Sequence, residues 1–438
     1  MFFVYSIVLT LAFVVMLPRL LFDAIFNGKY AAGFFQRLGF LPKFERNEHA
    51  VVWVHCVSVG ETNAAKPLID KIIAEFPTHR MIISNTTRTG HRLARELFAD
   101  KAEAIFYFPF DWRFSVRRAL RHFSPSAVLL METEIWFNFV REANKSGVHV
   151  AIVNGRLSAR SYKRYAYLKN FMRRVLSYPE LALMQANPDA KRLMALGMRA
   201  NKVKVTGNIK FDQATEDTNQ LTVEFRTRWN ITADEPLIVA ASTHPPEEKW
   251  LLEALKTVWK GSERALPRLL IAPRHPERFQ AVADEIGKYG FAWSRRSEAA
   301  SGRDEAAEVI LLDSIGELRA VFPLAELVFV GGSLIPHGGQ SILEPAAAGR
   351  AIITGPFTSN FEAAVNEFLE HDALVQLPRT GKASTAKTLA AEFSRLLDDA
   401  DRRQQLGVNA AAVMERNRGA VDKTVDHLES LLRVETTQ

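Results

Sequence analysis

From Val51 onward, short β-rich runs alternate with stretches of helical period. The rhythm breaks once and then resumes, which restricts the chain to parallel sheets covered by helices on both faces. Strands are predicted at 51–55, 80–84, 104–108, 127–131, 148–153 and 203–207. After a polar, strand-poor segment at 212–234 they recur at 237–241, 268–272, 308–312, 327–330 and 351–354. A chain of 438 residues suits two such lobes better than one. The fold class expected is therefore α/β, with two Rossmann-like, doubly wound lobes facing a cleft and a boundary between 207 and 235. A cleft between two such lobes is the default place for a ligand.

Hydrophobic residues at 47% and charged residues at 24% are ordinary for a globular body. The single cysteine, Cys56, excludes an internal disulfide and a cysteine-built metal cage. Lys and Arg exceed Asp and Glu by 56 − 49 = 7, which fits anionic partners without choosing among them. Residues 1–18 carry no charge, are followed by Arg19, and lack both a basic leader and a small-residue cleavage site. They predict a retained membrane anchor at the lower length limit, over residues 1–22. The positive excess on the C-terminal flank (Arg19, Lys29, Arg37, Lys43 and Arg46 against Asp23, Glu45 and Glu48) predicts a body on the cytoplasmic side. The next segment, 30–41, is apolar enough in Phe34, Phe35, Leu38 and Phe40 to lie in a membrane interface.

Glu61 follows the first strand at a strand-to-helix turn, with the helix expected from about Asn63. In such folds this turn lies at the carboxyl edge of the sheet, beside the ligand crevice. Gly331-Gly332 and Gly338-Gly339 follow a strand and open a helix, where backbone amides can receive a phosphate. Glu344 beyond them can accept hydrogen bonds from ribose hydroxyls. Pro273 and Arg274 end another strand, and a guanidinium fork can hold a phosphate in two bonds. There is no Walker A lysine pattern and no well-placed G-x-G-x-x-G, which disfavours P-loop hydrolysis and dinucleotide redox chemistry. Asp399 and Asp401 lie in a late helical stretch and read as a solvated face. His244, His275 and His337 follow strands in different loops without metal-ligand spacing, so no metal site is expected. Between residues 143 and 179 eight positive charges, among them Arg156, Arg160, Lys163 and Arg164, are interleaved with aromatic residues and no acid. Such a stretch seeks anions, whether nucleic acid or an acidic leaflet, and reads equally as a charged, solvated helix.

Seven segments occur together and in order: Ser58-Val59-Gly60-Glu61, Glu132-Thr133-Glu134-Ile135-Trp136, Asn154-Gly155-Arg156-Leu157-Ser158, Gly207 through Asp212, Ala272-Pro273-Arg274-His275, Asp313 through Leu318, and Gly338-Gly339-Gln340 through Glu344-Pro345. In this combination the chain resembles the 3-deoxy-D-manno-octulosonic acid (Kdo) transferases over nearly its whole length. The resemblance implies a GT-B fold, with residues 23–212 as an acceptor domain, 213–234 as a linker and 235–438 as a donor domain whose last helix can pack back on the first lobe. It also implies CMP-Kdo as donor, a lipid A precursor such as lipid IVA as acceptor, inversion without metal or cofactor, the inner membrane as location, and no nucleic acid partner. Carried over residue by residue, Glu61 takes the place of the general base, while Glu132 and Lys210 take those of transition-state stabilisers. Lys210 is expected to be brought to the cleft by the start of the second lobe. Pro273, Arg274, Ser314, Ile315, Gly316, Ser341, Ile342, Leu343 and Glu344 match the CMP-binding segments.

The chain departs from the family pattern twice. Ser341-Ile342 stands where Asn-Pro is usual, and Trp136-Phe137-Asn138 where Trp-Pro-Asn is usual. Serine keeps a hydroxyl but gives up the carboxamide, and Phe137 should alter packing instead of chemistry. The competing expectations are another GT-B nucleotide-sugar transferase or epimerase, and a non-catalytic member that binds nucleotide or lipid.

Overall fold

The computed structural model describes residues 1–27, 33–212, 219–232, 235–260 and 266–433. The chain divides into two compact units, residues 1–213 with 417–438, and residues 214–416. Part of the expected linker (213–218 and 233–234) and part of the interfacial segment (30–32) lie outside the described residues.

The first unit holds a seven-stranded, all-parallel sheet of β1 (Val51–Cys56), β2 (Arg80–Asn85), β3 (Ala104–Tyr107), β4 (Ala127–Met131), β5 (His149–Gly155), β6 (Leu181–Met184) and β7 (Val203–Val205), in the order β3-β2-β1-β4-β5-β6-β7. The central strands are mostly apolar and buried because helices cover both faces, and alternate residues serve different layers. Val52, Val54 and Cys56 pack with Leu68, Ile69 and Ile72 of the helix Val59–Glu75. Val51 and Trp53 point the other way, where the Trp53 ring meets Phe139 at 5.1 Å and Phe106 at 5.2 Å between centroids. The buried indole N–H donates to Ser84 Oγ at 2.7 Å, so this large side chain leaves no unpaired donor.

The C-terminal helix Ala420–Leu432 belongs to this first unit. Its Val421, Val425, Leu428 and Leu432 join the layer of Leu68 and Ile69. Asp212 fixes where it starts, since its carboxylate accepts from Gly419 N at 2.8 Å and Val421 N at 2.6 Å. Two free first-turn amides are thereby satisfied by a residue about two hundred positions earlier.

The N-terminal helix Phe2–Asn27 docks through one side. Phe2 packs edge-on to Phe171 at 5.1 Å, and Phe13 meets Trp112 at 4.9 Å. Tyr5 donates to Asp111 at 2.8 Å, and the same carboxylate accepts from Asn138 N and Phe139 N at the start of the helix Phe137–Lys145. Phe137, one of the two departures from the family pattern, fills the space between the Tyr5 ring at 4.9 Å and Phe171 at 5.1 Å. Phe3, Val4, Val8, Leu11, Val14 and Val15 remain exposed. Among the described residues no helix is long and apolar enough to cross a membrane.

The second unit repeats the plan with β8 (Leu237–Thr243), β9 (Arg268–Pro273), β10 (Trp293–Arg295), β11 (Val309–Leu311), β12 (Leu327–Val330), β13 (Ala351–Thr354) and β14 (Val375–Gln376), all parallel in the order β10-β11-β9-β8-β12-β13-β14. The helices Glu247–Lys260 and Thr385–Asp398 bury Leu251, Leu255, Leu389 and Phe393 against one face of this sheet.

Replacing Asp212 with alanine removes both hydrogen bonds to the C-terminal helix. It should destabilise the first unit by about 1–2 kcal/mol, the usual value of a charged cap. The measurement is urea unfolding followed by tryptophan fluorescence, and an unchanged midpoint would contradict the capping role.

Candidate active site

In the first unit the helix after β1 begins at Val59, four residues before the expected start, so Glu61 sits inside its first turn. The carboxylate folds back on its own turn. Oε2 accepts from Val57 N at 2.7 Å, and Oε1 accepts from Ser58 Oγ at 3.1 Å. This resembles a capping box, in which a third-position glutamate answers an amide before the helix. Glu61 is 7% exposed. Burial raises its carboxyl to about 7, opposed by the Val57 hydrogen bond and reinforced by the negative charges of Glu132 and Glu134.

Glu132 leaves the end of β4 with φ of 56°, a left-handed conformation unusual for glutamate. Its amide donates to Val153 O at 2.8 Å, which ties that turn to the neighbouring β5. Lys210 Nζ reaches Glu132 Oε1 at 3.0 Å, and both side chains remain partly open to solvent. Lys210 lies within the expected acceptor domain, in a short turn of the first unit, Ile209–Asp212, and hydrogen bonds within that unit, not the start of the second lobe, hold it in place. Asn154 Oδ1 accepts from Ile209 N at 3.1 Å, Asn208 Oδ1 accepts from Lys210 N at 3.1 Å, and Asp212 binds the C-terminal helix. Glu61, Glu132 and Lys210 thus share one electrostatic neighbourhood at the carboxyl edge of the first sheet. Glu134 belongs to it as well, its carboxyl raised by burial and then by Glu132. The Glu-x-Glu spacing after β4 is the sequence signal for it.

Arg156 follows β5, where its amide donates to Thr133 Oγ1 at 2.8 Å. Arg160, Lys163 and Arg164 lie exposed on the helix Ala159–Ala166, a helix with no buried residue whose start is capped by Ser158 accepting from Ser161 N.

In the second unit the residues read as nucleotide-binding all follow strand ends of one parallel sheet. Pro273 ends β9, and Arg274 N donates to Thr243 O at 3.1 Å while its guanidinium is exposed. Ser314, Ile315 and Gly316 turn after β11, with Gly316 at φ of 86° and Ser314 donating to Glu317. Ile315 is 79% exposed. Ser341 Oγ accepts from Leu343 N at 3.3 Å, so the serine that replaces the family's asparagine still satisfies an amide at the next helix. Ile342 and Leu343 are buried, and Glu344 Oε1 lies 3.8 Å from Arg319 of the neighbouring turn.

Two features of this edge leave little mark in the sequence. Glu247 is fully buried, its carboxyl raised by burial to about 7. It accepts from Gly332 N at 2.7 Å, Ser333 N at 3.0 Å, Leu334 N at 2.9 Å and His244 N at 2.9 Å, which fixes the glycine turn after β12. The strand-then-Pro-Pro-Glu-Glu pattern signals a helix start, but nothing local reveals a partner 85 residues away. The second feature is that His244, His275 and His337, which follow strands in different loops, come together, with ring centroids 5.3 and 4.2 Å from His244. Among the described residues no group of three or more His, Cys, Asp or Glu side chains is placed to hold a metal ion.

The chain is similar to known proteins. A family model described as 3-deoxy-D-manno-octulosonic-acid transferase (kdotransferase) matches residues 32–213. The 3-deoxy-D-manno-octulosonic acid transferase of Haemophilus influenzae is 34% identical over 405 residues, covering 92% of this chain and 92% of that protein. That of Bordetella pertussis is 34% identical over 393 residues, covering 87% and 88%. Among solved structures, a UDP-GlcNAc 2-epimerase from Neisseria meningitidis is similar with a TM-score of 0.58 at 14% identity, over 88% of this chain and 100% of that one. A glycosyltransferase from Rickettsia africae gives a TM-score of 0.57 at 12% identity over the same shares. At such identities the likeness shows the fold alone, a two-lobed α/β fold of the GT-B kind.

The electrostatics of Glu61 can be tested directly. Its carboxyl should titrate near pH 7 in carbon-detected NMR. Glu132→Gln should lower that midpoint yet leave it above the ordinary glutamate range, because burial is the larger cause. A midpoint near 4.5 in the unaltered protein would contradict the burial argument.

Proposed function

This chain belongs to the 3-deoxy-D-manno-octulosonic acid transferase family of glycosyltransferases, and from that premise we propose that it moves Kdo from CMP-Kdo to a primary hydroxyl of a lipid A precursor, by one inverting displacement that needs no metal. The observation that carries the reading is Glu61, a buried carboxylate whose proton affinity is raised to about 7 beside the Glu132–Lys210 pair. A base poised near the working pH takes a proton without holding it too tightly.

In the proposed step the acceptor oxygen attacks the anomeric carbon of Kdo as its proton passes to Glu61. The bond from that carbon to the CMP phosphate oxygen breaks, and its electron pair leaves with CMP. Glu132 and Lys210 stabilise the charge that develops, with Lys210 serving the phosphate side. Pro273, Arg274, Ser314 to Gly316 and Ser341 to Glu344 bind CMP. Because CMP leaves with a single phosphate, fixed cations and backbone amides can offset its charge. The body is held at the cytoplasmic face of the inner membrane by the N-terminal helix, whose exposed Phe3, Val4, Leu11, Val14 and Val15 support an apolar contact. Arg156, Arg160, Lys163 and Arg164 receive the acceptor's phosphates or the anionic leaflet.

A panel of sugar donors offered with a lipid A precursor should give transfer only from CMP-Kdo, read by mass spectrometry of the product. In the same assay Glu61→Gln should bind CMP normally and lose roughly 10²–10⁴-fold in turnover. Near-normal turnover by that variant would remove Glu61 as the base. Reversing the charges of Arg160, Lys163 and Arg164 together should raise the KM for the lipid acceptor several-fold and leave CMP affinity unchanged, and an equal loss of both would count against an acceptor surface.

A further inference from the structure

The loops after β8, β9 and β12 each deliver one histidine to the carboxyl edge of the second sheet. The rings of His244 and His337 are tilted over each other at 4.2 Å, and His275 meets His244 edge-on at 5.3 Å. His244 is 4% exposed, while His275 and His337 are exposed above it. Its Nδ1 lies 3.2 Å from Ser242 O. A carbonyl can only accept, so Nδ1 carries the proton and the neutral ring presents a bare Nε2. That Nε2 is buried and has no hydrogen-bond partner among the described residues. Leaving such an atom unpaired is costly, and a site that does so is commonly completed by a ligand.

The floor of this cluster is shaped for close approach. Gly332, at φ of 64°, lies under both rings, and a Cβ there would come within 3.3 Å of His244 Nδ1 and His337 Cδ2. Glu247 is engaged by four backbone amides and Glu248 by Arg278 and Thr243, so neither carboxylate needs the imidazoles as partners. Among the outer rings, His275 has Glu277 3.8 Å from its Nδ1. Arg274, next to His275, is exposed and has no side-chain partner among the described residues. Burial, then the proximity of His337, holds His244 down at about 4, so the ring is neutral until an anion offsets a second proton.

We infer that His244, with His337 and His275, forms an oxyanion-binding subsite for the donor, which receives anionic oxygens beside the bond that breaks. The inference rests on the CMP-Kdo reading above and extends it to residues outside the CMP-binding segments. CMP-Kdo carries two such groups, the phosphate and the sugar carboxylate. Either can be met by His244 Nε2 only when that nitrogen takes up a proton, so anion binding and protonation of the ring occur together, and the charge-assisted bond so formed is roughly twice as strong as a neutral one.

The test measures binding of CMP and of cytidine by calorimetry, together with the KM for CMP-Kdo, in the full-length protein and in His244→Asn and His337→Asn. If the subsite holds the phosphate, both variants should weaken CMP by about tenfold while cytidine binds as before. If it holds the carboxylate, CMP binding stays unchanged and the KM for CMP-Kdo rises by about tenfold. The inference is overturned if cytidine weakens as much as CMP, or if neither CMP nor CMP-Kdo is affected. Should His244→Asn lower thermal stability, the exposed His337→Asn decides between these outcomes. A wild-type protein that binds neither CMP nor CMP-Kdo would overturn the donor reading itself and this subsite with it, whereas unchanged variants of a CMP-binding wild type overturn only the subsite.

Discussion

All strands of each sheet run parallel, so every strand must be followed by a crossover that returns the chain to the same starting edge. The loops that leave the strand ends therefore collect on the opposite edge. Glu61 after β1, Glu132 after β4 and Arg156 after β5 are neighbours for that reason, although they are scattered along the sequence. The same constraint gathers His244, Arg274, the Ser314 turn and the loop before Leu343 in the second unit. Crossover geometry places these side chains; local sequence only chooses which chemistry each loop carries.

A strand that ends beneath a helix start also leaves backbone amides without partners, and both units answer with a buried glutamate. Glu61 takes the Val57 amide and the Ser58 hydroxyl. Glu247 takes four amides from two loops. Burial raises both carboxyls to about 7, yet their situations differ. Glu247 spends both of its oxygens on fixed amides and acts as a tie between loops. Glu61 has a single amide and stands beside two further carboxylates, so proton exchange costs it less structure. In that setting Lys210 matters doubly, since it neutralises Glu132 and limits the accumulated negative charge without neutralising Glu61 itself.

Much of the fold was legible from periodicity because fully buried parallel strands are written as short apolar runs between turns. The strands around Val52, Ile82, Leu129, Val239 and Ile271 are of this kind. Three strands were missed, Leu181–Met184, Trp293–Arg295 and Val375–Gln376. They are two to four residues long, and Trp293–Arg295 and Val375–Gln376 lie at sheet edges, where one-sided burial asks for no continuous apolar run. The start of the helix holding Glu61 was misjudged because Gly60 lowers helix propensity and the glutamate reaching back leaves no local mark beyond its spacing from Ser58. Of the candidate site, the turn positions of Glu61, Glu132, Arg274 and Glu344 could be read from strand ends, while their proposed roles came from the ordered family motifs.

The sequence by itself determined the number of lobes, the class of sheet, the apolar N-terminal helix and the loops on which the candidate site residues would sit. These follow from residue patterns a few positions long, which local backbone geometry translates directly. Only the tertiary structure decided that Lys210 pairs with Glu132, that Asp212 anchors the C-terminal helix, and that three distant histidines share one cluster around an unpartnered nitrogen. Each depends on contacts between residues separated by tens to hundreds of positions. Such contacts form because buried polar groups must find partners once the sheets have closed, and no local pattern specifies which partner that will be.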